Sequence, residues 1–154
     1  MPDNFLYSVE RVFDSPVAAV WAAWTDPVSL EAWYHPTDLL NVPGSVTSDA
    51  EVGGAWSVAV AVPEHDVVAY FFGRYTDVVE NVRLEHTMLY TVSADEFAAR
   101  DESGPSHIVI VDFEGRDGST WVRFAQYGEL PGGEPERAKA GMESYFDSLQ
   151  AFLA

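Results

Sequence analysis

The chain has 154 residues, 47% hydrophobic and 14% aromatic, enough for a sizeable core, and its lack of cysteine excludes disulfides and thiolate chemistry. Acidic residues outnumber basic ones by 25 to 8, which gives a net charge of −17. Such a surface repels phosphate backbones and anionic lipid headgroups, so neither nucleic acid nor a membrane is expected as a partner. Without a signal-peptide pattern or a long apolar run, we expect a cytoplasmic protein whose residues 1–154 form a single domain.

The first part of the chain predicts one strand followed by two short helices. Residues 5–13 (FLYSVERVF) have the composition of a strand. Proline then twice follows residues that cap helices, at 14–16 (DSP) and 25–27 (TDP). We therefore expect helices over about 16–24 and 27–35, each capped by the serine or aspartate before its proline.

These short helices carry an unusual density of large aromatic residues. Trp21, Trp24 and Trp33 fall at positions expected to face the core. Each ring removes a large apolar area from water, so packing for stability is the favoured interpretation. Trp33 and Tyr34, nearest the open end of the predicted sheet, are also expected to touch a ligand.

From residue 38 to 127 the pattern is that of about six antiparallel strands. The expected strands are 39–49 with a bend at its Pro-Gly pair, 55–62, 67–79, 82–92, 107–114 and 119–128. The polar, acidic segment 93–106 predicts a long loop with room for one helical turn. Residues 131–133 (PGG) are expected to end the sheet.

The last segment, 134–153, predicts a long amphipathic helix with acidic residues at its N-terminal end. Its apolar residues form one stripe: Met142, Tyr145, Phe146, Leu149, Phe152 and Leu153. Gly141 weakens this helix by about 1 kcal/mol relative to alanine and is interpreted as making room for a large neighbour. The order of elements predicts an α+β helix-grip fold, in which a curved antiparallel sheet holds the C-terminal helix over an apolar space.

One face of each strand is expected to line that space. Alternation along 84–90 turns His86 toward it, among apolar neighbours. The residues expected to line the cavity and bind a ligand are Trp33, Tyr34, Trp56, Phe71, Tyr75, His86, Met88, Tyr90, Phe113, Phe124, Gln126, Met142 and Phe146. A mostly apolar lining with a few polar groups is the composition of a small-molecule site.

Common catalytic and metal-binding signatures are absent from the sequence. It contains no nucleophile elbow, phosphate loop, dinucleotide fingerprint or His-Glu-x-x-His motif. The four histidines lack metal-ligand spacing, so neither a metal nor a cofactor is expected. His86 could serve as a general base, but it has no carboxylate partner on the expected lining. A structural role for His86 is therefore favoured, and no catalytic residue is predicted.

Five segments of the chain resemble one known family. They are ERVFDSPVAAVWAAWTDPVSLEAWY (10–34), EVGGAW (51–56), FFGRYTDVVENVRLEHT (71–87), IVIVDFEGRDGSTWVRFAQYG (108–128) and AGMESYFDSLQAFL (140–153). The family shares a domain with activators of the ATPase of heat-shock protein 90 and belongs to the START-like (SRPBCC) superfamily. The resemblance covers nearly the whole chain and implies the helix-grip fold.

The superfamily includes ligand carriers, chaperone regulators and cyclases, so the resemblance leaves the function open. Binding of a small apolar or amphipathic molecule is the first hypothesis. A module that regulates a chaperone ATPase and an enzyme of the cyclase or hydrolase type are the alternatives. The superfamily often forms dimers, so a homodimer is a further hypothesis. Tyr34, His35 and Met142 depart from the family pattern near the expected cavity, so the ligand of a relative does not transfer.

Overall fold

The computed structural model describes residues 4–129 and 135–154. Its strands are β1 (Phe5–Phe13), β2 (Leu40–Asn41), β3 (Thr47–Ser48), β4 (Ala55–Val62), β5 (Val67–Val79), β6 (Arg83–Thr91), β7 (His107–Arg116) and β8 (Ser119–Tyr127). Its helices are α1 (Val17–Thr25), α2 (Pro27–Trp33), α3 (Ala94–Ala99) and α4 (Pro135–Leu153). The predicted end of the sheet at 131–133 lies outside the described residues.

The strands form one antiparallel sheet in the order β1-β8-β7-β6-β5-β4-β2, with β3 also paired to β4. The predicted strand 39–49 is divided into β2 and β3, because the chain turns between them at Gly44, where φ is +81°. The sheet curls around the C-terminal helix, and this mixed α+β architecture confirms the predicted helix-grip fold.

The two short helices begin close to the predicted positions, but without the expected side-chain caps. Pro16 occupies the N-cap of α1 in an extended conformation, and no side chain accepts from the first turn. Asp26 is the N-cap of α2, yet its carboxylate accepts a hydrogen bond from the Ser29 hydroxyl at 2.9 Å instead of from a backbone N–H. The proline geometry and the burial of the aromatic faces therefore stabilise these helices.

Trp24 is the centre of the core. Its ring lies 4.8 Å from that of Trp33 and contacts the rings of Tyr34, Phe113, Phe124 and Phe146. The Trp33 indole N–H donates to the Ala23 carbonyl at 2.7 Å, which ties α2 to α1. The tryptophans of α1 and α2 are thus packed against one another and against the sheet, in agreement with the stability interpretation.

α4 is anchored to β1 and to the segment that follows α2. Phe146 is fully buried against the core. On the solvent side, the Arg11 guanidinium of β1 donates to Asp147 at 2.8 Å. The Ser148 hydroxyl donates to the His35 carbonyl at 2.7 Å. Of the helices in the described part of the chain, none has the length and apolarity needed to cross a bilayer.

α3 packs on the outer face of the sheet, within the segment predicted as a long loop. The Ser93 side chain caps α3 by accepting from the Glu96 backbone N–H at 3.2 Å. The Phe97 ring stacks on Tyr70 with 4.6 Å between ring centres and meets Phe72 edge-on at 6.0 Å. The prediction allowed a helical turn here, but it missed this packing role.

Gly73 of β5 leaves space for a backbone carbonyl of β6. A side-chain carbon at Gly73 would overlap the Thr87 carbonyl oxygen. That oxygen accepts from the Trp56 indole N–H at 2.9 Å and from His86 Nδ1 at 3.0 Å. A glycine at position 73 therefore permits the close contact of three strands at this point.

We expect Gly73→Ala to lower the free energy of unfolding by about 3 kcal/mol, because β5 and β6 must move apart and strain these hydrogen bonds. Gly104→Ala is the matched control, since an added carbon there meets no atom within 4 Å. The control should change stability by less than about 0.5 kcal/mol. Urea unfolding followed by tryptophan fluorescence measures both, and equal stabilities of the two variants would contradict the close-contact account.

Candidate functional site

In the described part of the protein, two spaces between the inner face of the sheet and the helices bear on the predicted site. The larger, of about 230 Å³, lies under the N-terminal half of α4 and is lined by Tyr7, Tyr34, Phe71, Met88, Gln126, Ala138, Gly141, Met142 and Tyr145. The smaller, of about 20 Å³, is lined by the buried residues Trp24, Leu30, Tyr34, Trp56, Val58, Tyr75, Leu84 and His86. A space of the smaller size holds about one water molecule, so the larger cavity is the candidate ligand site.

The larger cavity lies under the part of α4 that contributes two small residues, Ala138 and Gly141, beside Met142 and Tyr145. Phe146 fills the space beneath the helix, 5.7 Å from the Phe13 ring centre. Ala138 and Gly141 line the cavity one to two turns earlier. A carbon added at Gly141 would have no neighbour within 4 Å, so the prediction of a large residue packed there is wrong. Gly141 is itself exposed, which places the cavity mouth at this residue.

The structure divides the predicted lining residues into three groups. Five of them border the larger cavity: Tyr34, Phe71, Met88, Gln126 and Met142. Tyr34 also borders the smaller space, together with Trp56, Tyr75 and His86. Tyr34 is therefore the residue shared by both.

The remaining predicted residues border neither space, so their placement in the lining is corrected. Trp33, Phe113, Phe124 and Phe146 belong to the packed aromatic core around Trp24. Tyr90 is 60% exposed near the end of β6, although its ring lies 5.3 Å from Phe71. Alternation gives the face of a strand on which a residue lies, but not how the helix covers that strand along its length.

The sequence interpretation missed four lining residues: Tyr7, Ala138, Gly141 and Tyr145. Tyr7 could have been predicted from the alternation along β1, where the buried positions are Tyr7, Val9 and Phe13. Tyr145 lies in the apolar stripe of α4 already recognised. Ala138 gives no signal, and Gly141 was noticed in the sequence only as room for a packed neighbour, because both residues contribute the space that they leave.

A chain of side-chain hydrogen bonds leads from the cavity to the end of the sheet. The Tyr7 hydroxyl donates to Gln126 Oε1 at 2.7 Å. Gln126 Nε2 lies 2.7 Å from His107 Nδ1, and His107 Nε2 lies 2.9 Å from the Glu129 carbonyl oxygen. Gln126 is therefore held from both sides.

The other polar groups at the larger cavity are the hydroxyls of Tyr34 and Tyr145. Neither of them hydrogen-bonds to another residue in the described parts of the chain. Burial raises the pKa of Tyr7, Tyr34 and Tyr145 well above the usual phenol range, and the Tyr145 phenol raises the first two further. All three phenols are therefore neutral at physiological pH.

His86 lies on the inward face of β6, as the alternation predicts, but away from the larger cavity. Its ring is 4.4 Å from that of Trp56 and 5.9 Å from that of Tyr75. Burial lowers the pKa of His86 from 6.5 to about 4, against the opposing effect of the hydrogen bond to Thr87. The imidazole is therefore neutral at physiological pH, and its observed contacts are those of a core residue.

The lowered pKa of His86 makes stability depend on pH. Between pH 6.5 and 4 the unfolded chain takes up a proton at this histidine, whereas the folded protein does not. The free energy of unfolding should therefore fall as the pH is lowered through this window, and the loss is complete below pH 4. Its size is about 3 kcal/mol, since each unit of pKa difference corresponds to about 1.4 kcal/mol.

The variant His86→Asn isolates this contribution. Urea unfolding between pH 4 and 7 should show a smaller loss of stability for this variant than for the wild type. His65→Asn is the matched control, because His65 is exposed in the turn between β4 and β5. It should keep the wild-type pH dependence. Identical pH dependence in all three proteins would contradict the burial of a neutral His86.

Comparison with solved structures agrees with the fold. A protein of Chromobacterium violaceum, CV1439, is 21% identical, with a TM-score of 0.80 over 97% of both chains. The AHSA1 protein of Silicibacter pomeroyi is 20% identical, with a TM-score of 0.77 over 94% of both chains. DynU16, a protein of the dynemicin biosynthetic locus, is 20% identical, with a TM-score of 0.71 over 99% of this chain and 48% of its own.

A search of curated proteins gave no match. At these identities the structural likenesses show the helix-grip fold alone, and family membership depends on the sequence. Residues 14–154 match the family described as Activator of Hsp90 ATPase homolog 1-like protein. Since this match spans most of the chain, the protein belongs to that family, within the START-like (SRPBCC) superfamily.

Proposed function

We propose that the protein binds a small, neutral, largely apolar molecule in the larger cavity. The supporting observation is a space of about 230 Å³ that opens at an exposed glycine in a core that is otherwise filled by aromatic side chains. A well-packed interior normally has few voids larger than a water molecule. A space of this size, apolar with a few polar groups, has the composition of a ligand site.

The volume and the walls favour a compact ligand. An apolar cavity of about 150 Å³ accommodates benzene, so this larger one suits a molecule of one or two fused rings. Phe71, Met88 and Met142 supply the apolar surface for its body. Methionine side chains are flexible and polarizable, which allows them to adjust to the outline of the ligand.

The charge of the cavity favours a neutral ligand. None of its described lining residues is acidic or basic, and its polar groups are three neutral phenols and one amide. A buried carboxylate without a counter-charge is strongly disfavoured. The net charge of −17 also repels anions before they reach the mouth.

A bulky residue at the mouth tests this proposal. Gly141→Trp should fill the cavity, because an added carbon at this position meets only open space. We expect it to weaken the binding of 2-naphthol, used as a neutral two-ring probe, by more than about tenfold. Isothermal titration calorimetry measures the affinity, and native mass spectrometry of the purified protein detects any ligand that co-purifies.

Ala140→Trp is the matched control, since Ala140 is exposed on the same helix and does not line the cavity. It should bind the probe as the wild type does. Both variants should remain folded, because tryptophan at position 141 replaces the poorer helix former glycine, and at the exposed position 140 it costs only about 0.5 kcal/mol of helix propensity relative to alanine. Wild-type affinity in Gly141→Trp, or failure of the wild type to bind any neutral two-ring probe, would overturn the proposal.

A further inference from the structure

We infer that Glu129, His107 and Gln126 fix Tyr7 as a hydrogen-bond acceptor in the cavity, so that the site selects hydroxyl-bearing molecules over matching ethers. This inference rests on the proposed function and deepens it by naming the ligand class. Tyr7 contacts the ligand in this account, whereas Gln126 and His107 are positioning residues.

The direction of each hydrogen bond follows from the chemistry of its partner. The Glu129 carbonyl can only accept, so His107 Nε2 must carry the hydrogen across the 2.9 Å contact. In the neutral imidazole, Nδ1 then has a lone pair, and it accepts from the Gln126 amide N–H₂ at 2.7 Å. This orientation leaves Gln126 Oε1 to accept from Tyr7, so the only hydroxyl hydrogen of Tyr7 is used within the protein.

The His107 ring has little freedom to rearrange. Both of its nitrogens are engaged, and its ring packs directly over Gly128, where a side-chain carbon would overlap it. Because the His107 ring is packed in place and both of its nitrogens are hydrogen-bonded, it holds the Gln126 amide in one orientation. The hydroxyl hydrogen of Tyr7 therefore remains bonded to Gln126. Only the lone pairs of the Tyr7 oxygen are then available to a ligand.

The two other hydroxyls at the cavity complete the selection. Tyr34 and Tyr145 line the same space and have no partner among the described residues, so each can donate to a ligand. A ligand hydroxyl can donate to Tyr7 and accept from one of these two. An ether oxygen can only accept, so it supplies no hydrogen to the Tyr7 oxygen. An unpaired buried acceptor corresponds to a loss of about tenfold in affinity.

Paired probes measure this selection. We would compare the affinities of 2-naphthol and 2-methoxynaphthalene for the wild type, Tyr7→Phe and Gln126→Leu, with naphthalene as the apolar reference. The naphthol-to-ether ratio is the ratio of the two affinities. Comparing this ratio between proteins cancels the different solvation of the two probes. The ratio should fall about tenfold in Tyr7→Phe, which lacks the acceptor. It should also fall in Gln126→Leu, where the Tyr7 hydrogen becomes free to donate to the ether.

Tyr90→Phe is the matched control, because Tyr90 is exposed and is not among the residues that line the cavity. It should keep the wild-type ratio. Near-ultraviolet circular dichroism establishes that each variant is folded before its ratio is interpreted.

The histidine tautomer gives a readout that needs no ligand. Long-range ¹H–¹⁵N spectra at neutral pH should show His107 protonated at Nε2 and unprotonated at Nδ1. The opposite tautomer would overturn the inference, and so would an unchanged naphthol-to-ether ratio in a folded Tyr7→Phe that still binds naphthalene. In the second case the proposed function stands. If no probe binds the wild type, the proposed function and this inference both fail.

Discussion

The packing of Phe146 against Trp24 and Phe13 fixes where α4 lies, and the candidate site is a consequence of that contact. An α-helix is stiff over a few turns, so a helix seated at Phe146 cannot also close onto the sheet where its side chains are small. Ala138 lies about 12 Å along the axis from Phe146, at about 1.5 Å per residue. Over this length the small residues Ala138 and Gly141 line the cavity, and Met142 and Tyr145 border the space without filling it.

Sheet register gives the cavity its polar character. Tyr7 pairs with Gln126 across β1 and β8, and His107 begins β7, the next strand in the sheet. The chain from Tyr7 to His107 therefore crosses three adjacent strands near one end of the sheet. Residues far apart in sequence are joined because antiparallel pairing sets their alignment. The same pairing faces the Tyr7 and Gln126 side chains toward the space under α4.

The fold was largely predictable from local pattern, and the site only in part. Proline placement located α1 and α2, alternation located β4 to β8, and helical periodicity located α4. The errors made at the site concern how the helices and strands pack against one another. Trp33 and Tyr34 are neighbours in the chain, yet Trp33 is buried in the core whereas Tyr34 borders both spaces. How closely the end of a helix packs on a sheet depends on tertiary contacts. The periodicity of the sequence carries no information about those contacts.

The two inner histidines of the sheet illustrate why residue type alone is a poor guide to function. His86 stood out in the sequence because it interrupts an apolar face. In the structure His86 packs against Trp56 and Tyr75, and the space beside it holds about one water molecule. Its Nδ1 hydrogen-bonds to the Thr87 carbonyl, so its contacts are those of a residue that stabilises the sheet. His107 starts its strand and gives no such signal. His107 is nevertheless linked to the Tyr7 hydroxyl through the side-chain amide of Gln126. The direction in which the Tyr7 hydroxyl donates is therefore set through Gln126 by His107, a residue that does not line the cavity.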